Sequence, residues 1–306
     1  MDFKHEAVML GEVVAAIEAI PHGCFLDATV GGGSHSKGIL SARGDLSVLG
    51  IDRDNFALKA ASQNLSKFSK RVQLINRPFS SVESIFRELE ITGISGFLFD
   101  LGVSSPQLDH PERGFSYQND GPLDMRMDPQ QEKQASDIIN NSAEEDLIKI
   151  IRGNSDERFA ARISRKIICN RPIGGTLELA DLVKSAIPAA KRRTGGHPAK
   201  RTFQAIRMEV NREKEELFST LEFVIEKLVP GGRGVVISYH SGEDRIVKNF
   251  FRQALTGGCL CPRLLPCVCG AIKKGKLPYK SLRASDEEIK KNRRAKSAHL
   301  RVLERI

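Results

Sequence analysis

No apolar run in this 306-residue chain is long enough to span a bilayer, which excludes a helical membrane protein. The opening stretch Met1-Asp2-Phe3-Lys4-His5-Glu6 lacks the basic and apolar regions of a secretory signal. Internal repeats and long low-complexity tracts are absent as well. Six cysteines, four of them crowded near the C-terminus, do not make a disulfide framework. They suit a reducing compartment and a metal site instead. These absences lead to the expectation of a cytoplasmic protein with no membrane partner.

What is present is ordinary in amount and uneven in sign. Hydrophobic residues make up 40% and charged residues 28%, as in globular proteins, and the length allows a full α/β core with a second domain. A formal net charge of +9 points to a polyanionic partner, nucleic acid being the usual one. A merely basic enzyme is the alternative.

Short apolar runs alternate with helical patterns through the first hundred residues. Strands are expected at Cys24–Ala28, Val48–Ile51, Val72–Ile75 and Gly96–Leu101, with helices at Val8–Ile20, Ser36–Ala42, Asn55–Phe68 and Ser81–Leu89. That rhythm means βαβ units and a parallel sheet covered on both faces. From Gly102 to Asp128 the periodicity stops, and helical patterns follow, one of them Ala143–Ile151 behind a Ser142…Glu145 capping box. The α/β pattern resumes with Glu213–Leu228, a buried strand at Gly234–Tyr239, a helix at Arg245–Leu255 and a closing edge strand at Ala298–Leu303. The simplest topology is a discontinuous nucleotide-binding domain, 1–103 and 205–306, with a helical insertion, 104–204, at the cofactor-facing edge of its sheet.

The first strand ends in Asp27 and breaks into Gly31-Gly32-Gly33 before a helix, and the second ends in Asp52. Glycines at such a turn let backbone N–H groups approach a ligand, and an acid after the second strand accepts ribose hydroxyls. A nucleoside-bearing cofactor across the carboxyl ends of the strands is therefore expected. A nicotinamide or flavin site asks for G-x-G-x-x-G, but Ser36 stands where the third glycine belongs. The alternating small residues Asp27, Thr29, Gly31, Gly33 resemble instead the first motif of S-adenosylmethionine-dependent methyltransferases.

Three longer segments carry a closer likeness: Asp100-Leu101-Gly102-Val103-Ser104-Ser105-Pro106-Gln107-Leu108-Asp109, Glu112-Arg113-Gly114-Phe115-Ser116 and Gly121-Pro122-Leu123-Asp124-Met125-Arg126-Met127-Asp128. With Arg201–Arg207 and Ile237–Arg245 they resemble the MraW/RsmH family, the bacterial 16S ribosomal RNA (cytosine-N4)-methyltransferases. The resemblance implies a class I (Rossmann-like) methyltransferase core, mostly parallel, with an inserted helical substrate-recognition domain. It implies S-adenosylmethionine as cofactor and a cytidine amine in the decoding region of 16S ribosomal RNA, in the small subunit, as substrate. Carried over by position, cofactor contacts fall on Gly33, Ser34, His35, Asp52, Phe79, Asp100 and Gln107. The family usually has Gly where Ser34 stands, which suits a backbone contact only if the local φ is negative.

Each of these residues has a structural alternative. Asp52 can cap the following helix, Phe79 can be core, and His35 can pack. For the amine itself Asp100 and Ser105 are the candidates to hold it, and Phe115 or Tyr117 to stack on the base. The basic stretches Lys191–Arg201 and Lys290–Lys296 are candidates for phosphate contacts. Finally, Cys259, Cys261, Cys267 and Cys269 form two C-x-C pairs that can supply four thiolates to a structural zinc, with free thiols as the alternative. A methyltransferase for another nucleic-acid amine, a non-catalytic RNA-binding protein and a nicotinamide oxidoreductase are the competing readings. A single chain and a homodimer are both compatible with the sequence.

Overall fold

The computed structural model describes residues 7–192, 196–262 and 268–306. Its contacts divide the chain into two compact units, Met1–Gly102 with Glu215–Ile306, and Val103–Lys214.

The first unit is built on one eight-stranded sheet: β1 (Gly23–Asp27), β2 (Leu46–Asp52), β3 (Val72–Asn76), β4 (Ile94–Asp100), β5 (Leu228–Ser238), β6 (Gly275–Lys276), β7 (Leu282–Arg283) and β8 (His299–Arg305). The order is β3-β2-β1-β4-β5-β8-β6, with β7 also paired to β8. The first five strands run parallel, and β8 is antiparallel to β5. The order reverses direction at β1, so β1 and β4 flank the crevice where α/β sheets take ligands.

Consecutive strand residues serve opposite layers. Phe25, Val48, Leu98, Val235 and Ile237 enter one buried cluster with the Leu10–Ile17 helix, while Leu26, Leu49, Phe97, Phe99 and Val236 enter another with the Glu213–Lys227 helix. That is why these strands read as continuous apolar runs: both faces are covered. The closing strand expected at the edge is interior, because β6 and β7 pair with its far side. Those two strands span two residues each, too short for a period-2 signal.

The second unit packs the helices Ala135–Asn141, Glu144–Ser155, Ala160–Ile168, Thr176–Ala186 and Lys200–Val210 around Ile139, Leu147, Ile151, Ile163, Val183 and Ile206. The Lys200–Val210 helix crosses the expected boundary at 204/205 and lies wholly in this unit. The capping box anticipated at Ser142…Glu145 is not formed. Gln134 and Asp137 make one for Ala135–Asn141 instead, and Ser142 ends that helix. Glu144–Ser155 begins with Glu144, Glu145 and Asp146, whose charges suit the positive end of the helix.

The aperiodic stretch before these helices is ordered by polar groups, some its own and one supplied by Asn211. Arg126 grips Asp124 through two hydrogen bonds of 2.8 Å each. Asn211 accepts the Met127 N–H and donates to the Met125 carbonyl, both at 2.8 Å. Met125 sits fully buried at φ +59° between these anchors. Phe115 is core, 5% exposed, beneath the Arg113 guanidinium. Among the described residues no helix is long and apolar enough to cross a membrane.

Candidate active site at the carboxyl ends of the strands

Past Asp27 the chain stays inside the sheet, with Ala28 N–H on the Leu98 carbonyl and Val30 N–H on the Ile51 carbonyl. It then turns through Gly31 (φ +51°) and Gly33 (φ +81°), backbone that side chains with a Cβ rarely adopt. At Gly33 a Cβ would also press on Leu65 and Ala61, 3.0–3.3 Å away. So this glycine serves close packing of the loop on the Asn55–Asn64 helix. Two of the loop amides are spent within the fold: Gly31 N–H donates to Asp52 Oδ2 at 2.9 Å, and Gly33 N–H to the Val30 carbonyl at 2.8 Å. A diphosphate bound as in dinucleotide folds would need such amides unoccupied.

Ser34 opens the Ser34–Ala42 helix and is not among the positive-φ residues, so its backbone meets the condition that replacement of Gly imposes. It lines a cavity of about 580 Å³ with Leu10, Lys37, Asn64, Glu288 and Lys291. His35 is turned inward and is 7% exposed. Its Nε2 lies 2.9 Å from the Val8 carbonyl, which can only accept, so Nε2 bears a hydrogen, and Nδ1 lies 3.8 Å from Asp100 Oδ2.

Asp52 does not cap the next helix; Asp54 does, accepting the Phe56 N–H. Asp52 holds two backbone donors, Gly31 N–H on one oxygen and Asp54 N–H on the other. Burial nevertheless pushes its carboxyl up to about 6. Each oxygen keeps a lone pair, and together they match a vicinal diol. Asp27 contrasts with it: 1% exposed, it accepts the Ser36 hydroxyl at 2.6 Å and the Thr29 N–H at 3.3 Å, and desolvation raises its pKa. Phe79 is partly exposed, edge-on to Phe99 at 5.6 Å, with the Arg53 guanidinium 5.7 Å from its centroid. Arg53 itself is paired with Glu216.

At the tip of β4, Asp100 donates its N–H to Thr29 Oγ1 at 2.7 Å and accepts the Tyr239 hydroxyl on Oδ1 at 2.7 Å. Desolvation first, then the Asp100 charge, raises the Tyr239 pKa, so the phenol stays a donor. Tyr239 N–H is in turn held by Glu243 Oε2 at 3.0 Å. Tyr239 and Glu243 were not singled out from the sequence. The available signal was position: Tyr239 follows a strand whose Ile237 pairs with Asp100.

The structure thus gathers Gly33, His35, Asp52, Phe79 and Asp100 at one end of the first unit's sheet. Gln107 belongs to the second unit, buried, where its Oε1 accepts the Ser104 N–H at 3.0 Å. Ser105 starts a short helix there, Ser105–Asp109, and its side chain lies outside the described residues. Tyr117 stacks one face on His197 at 4.6 Å, and Phe115 is enclosed, so neither ring stands open on both sides. Cys259, Cys261 and Cys269 bring their sulfurs within 4.8 Å of one another, while Cys267 lies outside the described residues.

The chain is 48% identical to ribosomal RNA small subunit methyltransferase H of Heliobacterium modesticaldum, the match covering all of both chains. It is 47% identical to the enzyme of that name from Carboxydothermus hydrogenoformans, over 100% of this chain and 99% of the other. A crystal structure of an rRNA methylase from Streptococcus thermophilus aligns over 100% of this chain and 99% of that one, with 12% identity and a TM-score of 0.43. At that score the likeness adds nothing to what the sheet topology already establishes. The profile of the MraW methylase family matches residues 2–306. A glycine turn whose amides are committed inside, aspartates closing neighbouring parallel strands and a family match along the whole chain agree: this chain belongs to the MraW methylase family, whose members are S-adenosylmethionine-dependent methyltransferases.

Proposed function

We propose that this protein transfers the methyl group of S-adenosylmethionine to the exocyclic N4 amine of a cytidine in the decoding region of 16S ribosomal RNA, acting on the small subunit in the cytoplasm. The observation that carries the cofactor half is the electrostatic character of the carboxyl edge. Asp52 and Asp100, both partly exposed, close β2 and β4, while the Gly31 and Gly33 amides are already bonded. That arrangement suits a nucleoside carrying a positive centre better than one carrying a diphosphate. The RNA half is supported by the relatives' activity and by the chain's net charge of +9.

When bound, the cofactor supplies an electrophilic methyl group on a sulfonium sulfur. Asp52 accepts both ribose hydroxyls, and Phe79 packs against the adenine. The first turn of the Ser34–Ala42 helix, which Ser34 and His35 open directly after Gly33, suits the cofactor's carboxylate through its own N–H groups, the Gly33 amide being held by Val30. Asp100 accepts a hydrogen bond from the cytosine amine, which helps localise a lone pair otherwise spread into the ring, and then takes the amine proton. Tyr239 fixes the Asp100 carboxylate for this by occupying Oδ1. Orientation and charge placement supply most of the rate of such an in-line displacement. Gln107 as a cofactor contact and Ser105 as a second partner for the amine rest on their motif. The helical second unit, with exposed Lys200 and Arg201, is the substrate-recognition part.

Mapping modified cytidines in ribosomal RNA from cells lacking this protein tests the substrate. One decoding-region cytidine is expected to lose its N4 methyl group, and an unchanged map removes the assignment. Restoring the gene with Asp100→Ala is expected to leave that cytidine unmethylated, and normal methylation there removes the role given to Asp100.

A further inference from the structure

The segment after the last long helix places three thiols together without burying them. The Ser241–Thr256 helix ends in Gly257 (φ +62°) and Gly258 (φ +77°), whose N–H groups both return to the Gln253 carbonyl. Cys259 N–H bonds the Thr256 carbonyl, and Cys261 N–H donates to Cys259 Sγ at 3.4 Å. The chain comes back past the same helix end: a Cβ on Gly257 would run into the Ile272 carbonyl, and Lys274 N–H bonds the Ala254 carbonyl at 2.8 Å. Both ends of the loop are therefore pinned to one place, and Cys259, Cys261 and Cys269 converge there with their sulfurs within 4.8 Å.

Three apolar side chains among the loop's described residues face water. Leu260, the middle residue of one C-x-C pair, is 96% exposed, and Val268, the middle residue of the other, is 89% exposed. Ile272 is 78% exposed. Cys259, Cys261 and Cys269 turn toward a common centre while Leu260 and Val268 turn to water, the reverse of what burial would choose. A segment ordered in this way needs a staple other than a core. Thiolates around a tetrahedral zinc, with Zn–S bonds of about 2.3 Å, lie about 3.8 Å apart. The trio needs a contraction of no more than about 1 Å to reach that spacing.

We propose that Cys259, Cys261 and Cys269 bind a structural zinc ion that holds this loop against the end of the Ser241–Thr256 helix. Each thiol releases its proton on binding, and a fourth donor completes the tetrahedron. The site carries no part of methyl transfer.

Tag-free full-length protein purified without chelator is expected to contain about one zinc per chain by elemental analysis. Cys259→Ser, Cys261→Ser and Cys269→Ser are each expected to lose the ion, and Cys169→Ser, which lies outside the cluster, to keep it. Because a serine variant can misfold, cobalt(II) is also added to metal-free wild-type protein. The visible bands of tetrahedral thiolate-bound cobalt are expected, and zinc is expected to displace them. Absence of both zinc and those bands, retention of zinc in all three cluster variants, or an intramolecular disulfide joining two of these cysteines in protein kept reduced overturns the proposal.

Discussion

β1 and β2 lie side by side, run parallel and end in the same residue type, yet Asp27 and Asp52 do different work. Asp27 is sealed, with a serine hydroxyl and a backbone amide filling its hydrogen bonds from within. Asp52 has the same number of donors, both of them backbone amides, but remains partly open. Burial raises both carboxyls, Asp52 to about 6. The residue type at a strand tip therefore does not decide between scaffold and site. What decides is whether the second lone pair of each oxygen is reachable from outside.

The sharpest way to break this comparison is Asp52→Ala. Two hydrogen bonds from a diol to an ionised carboxylate are worth about 1.5–3 kcal/mol each, so affinity for S-adenosylhomocysteine is expected to fall at least about a hundredfold. Calorimetric titration reads this directly, and a loss below threefold would move the ribose elsewhere. The same carboxylate gives a pH signature in the unmutated protein. The diol binds the ionised form, whose population drops below about pH 6, so affinity is expected to weaken toward tenfold per pH unit below that value and to level off above pH 7. A flat profile between pH 5 and 7 would detach binding from Asp52.

A smaller effect is expected for Tyr239→Phe, which keeps the ring and deletes the donor to Asp100 Oδ1. Turnover is expected to drop about tenfold, in line with one hydrogen bond to a charged group, with the melting temperature little changed. Unaltered turnover would show that Asp100 needs no such partner. The smallest effect on binding belongs to Asp27→Asn, where affinity is expected to stay within about threefold. Its signature is in stability. A carboxyl whose folded pKa stands above the ordinary 3.8 favours folding fully below pH 3.8 and loses that contribution as pH rises through the folded value. Asparagine removes this term, so the variant is expected to gain on wild type in denaturant midpoint as pH rises above 3.8. A constant gap would mean that Asp27 carries no such shift.

Much of the fold was legible because its causes are local. Short apolar runs, three of them closed by Asp, marked the parallel strands, and Gly31 and Gly33 marked the turn. The interior position of β8 was not legible, since its far neighbours β6 and β7 are two residues long and paired only by tertiary context. The stretch from Gly102 to Asp128 looked structureless because no periodicity marks it. Its order comes from the Asp124–Arg126 pair and from Asn211, more than eighty residues downstream of Met125 and Met127. Asp52 was readable as a candidate for holding ribose, and the structure gives the helix cap, its alternative role, to Asp54. Tyr239 escaped notice because its meaning depends on strand register, which fixes Ile237 opposite Asp100 and has no counterpart in local pattern.

The central claim is that the carboxyl edge of this sheet is shaped for the nucleoside of S-adenosylmethionine and not for a dinucleotide joined by a diphosphate. Parallel calorimetric titrations of the full chain with S-adenosylhomocysteine and with NAD test it most directly. Binding of one S-adenosylhomocysteine per chain, undisturbed by excess NAD, is the predicted result. Saturable NAD binding that competes with S-adenosylhomocysteine, or no binding of S-adenosylhomocysteine at all, would contradict it.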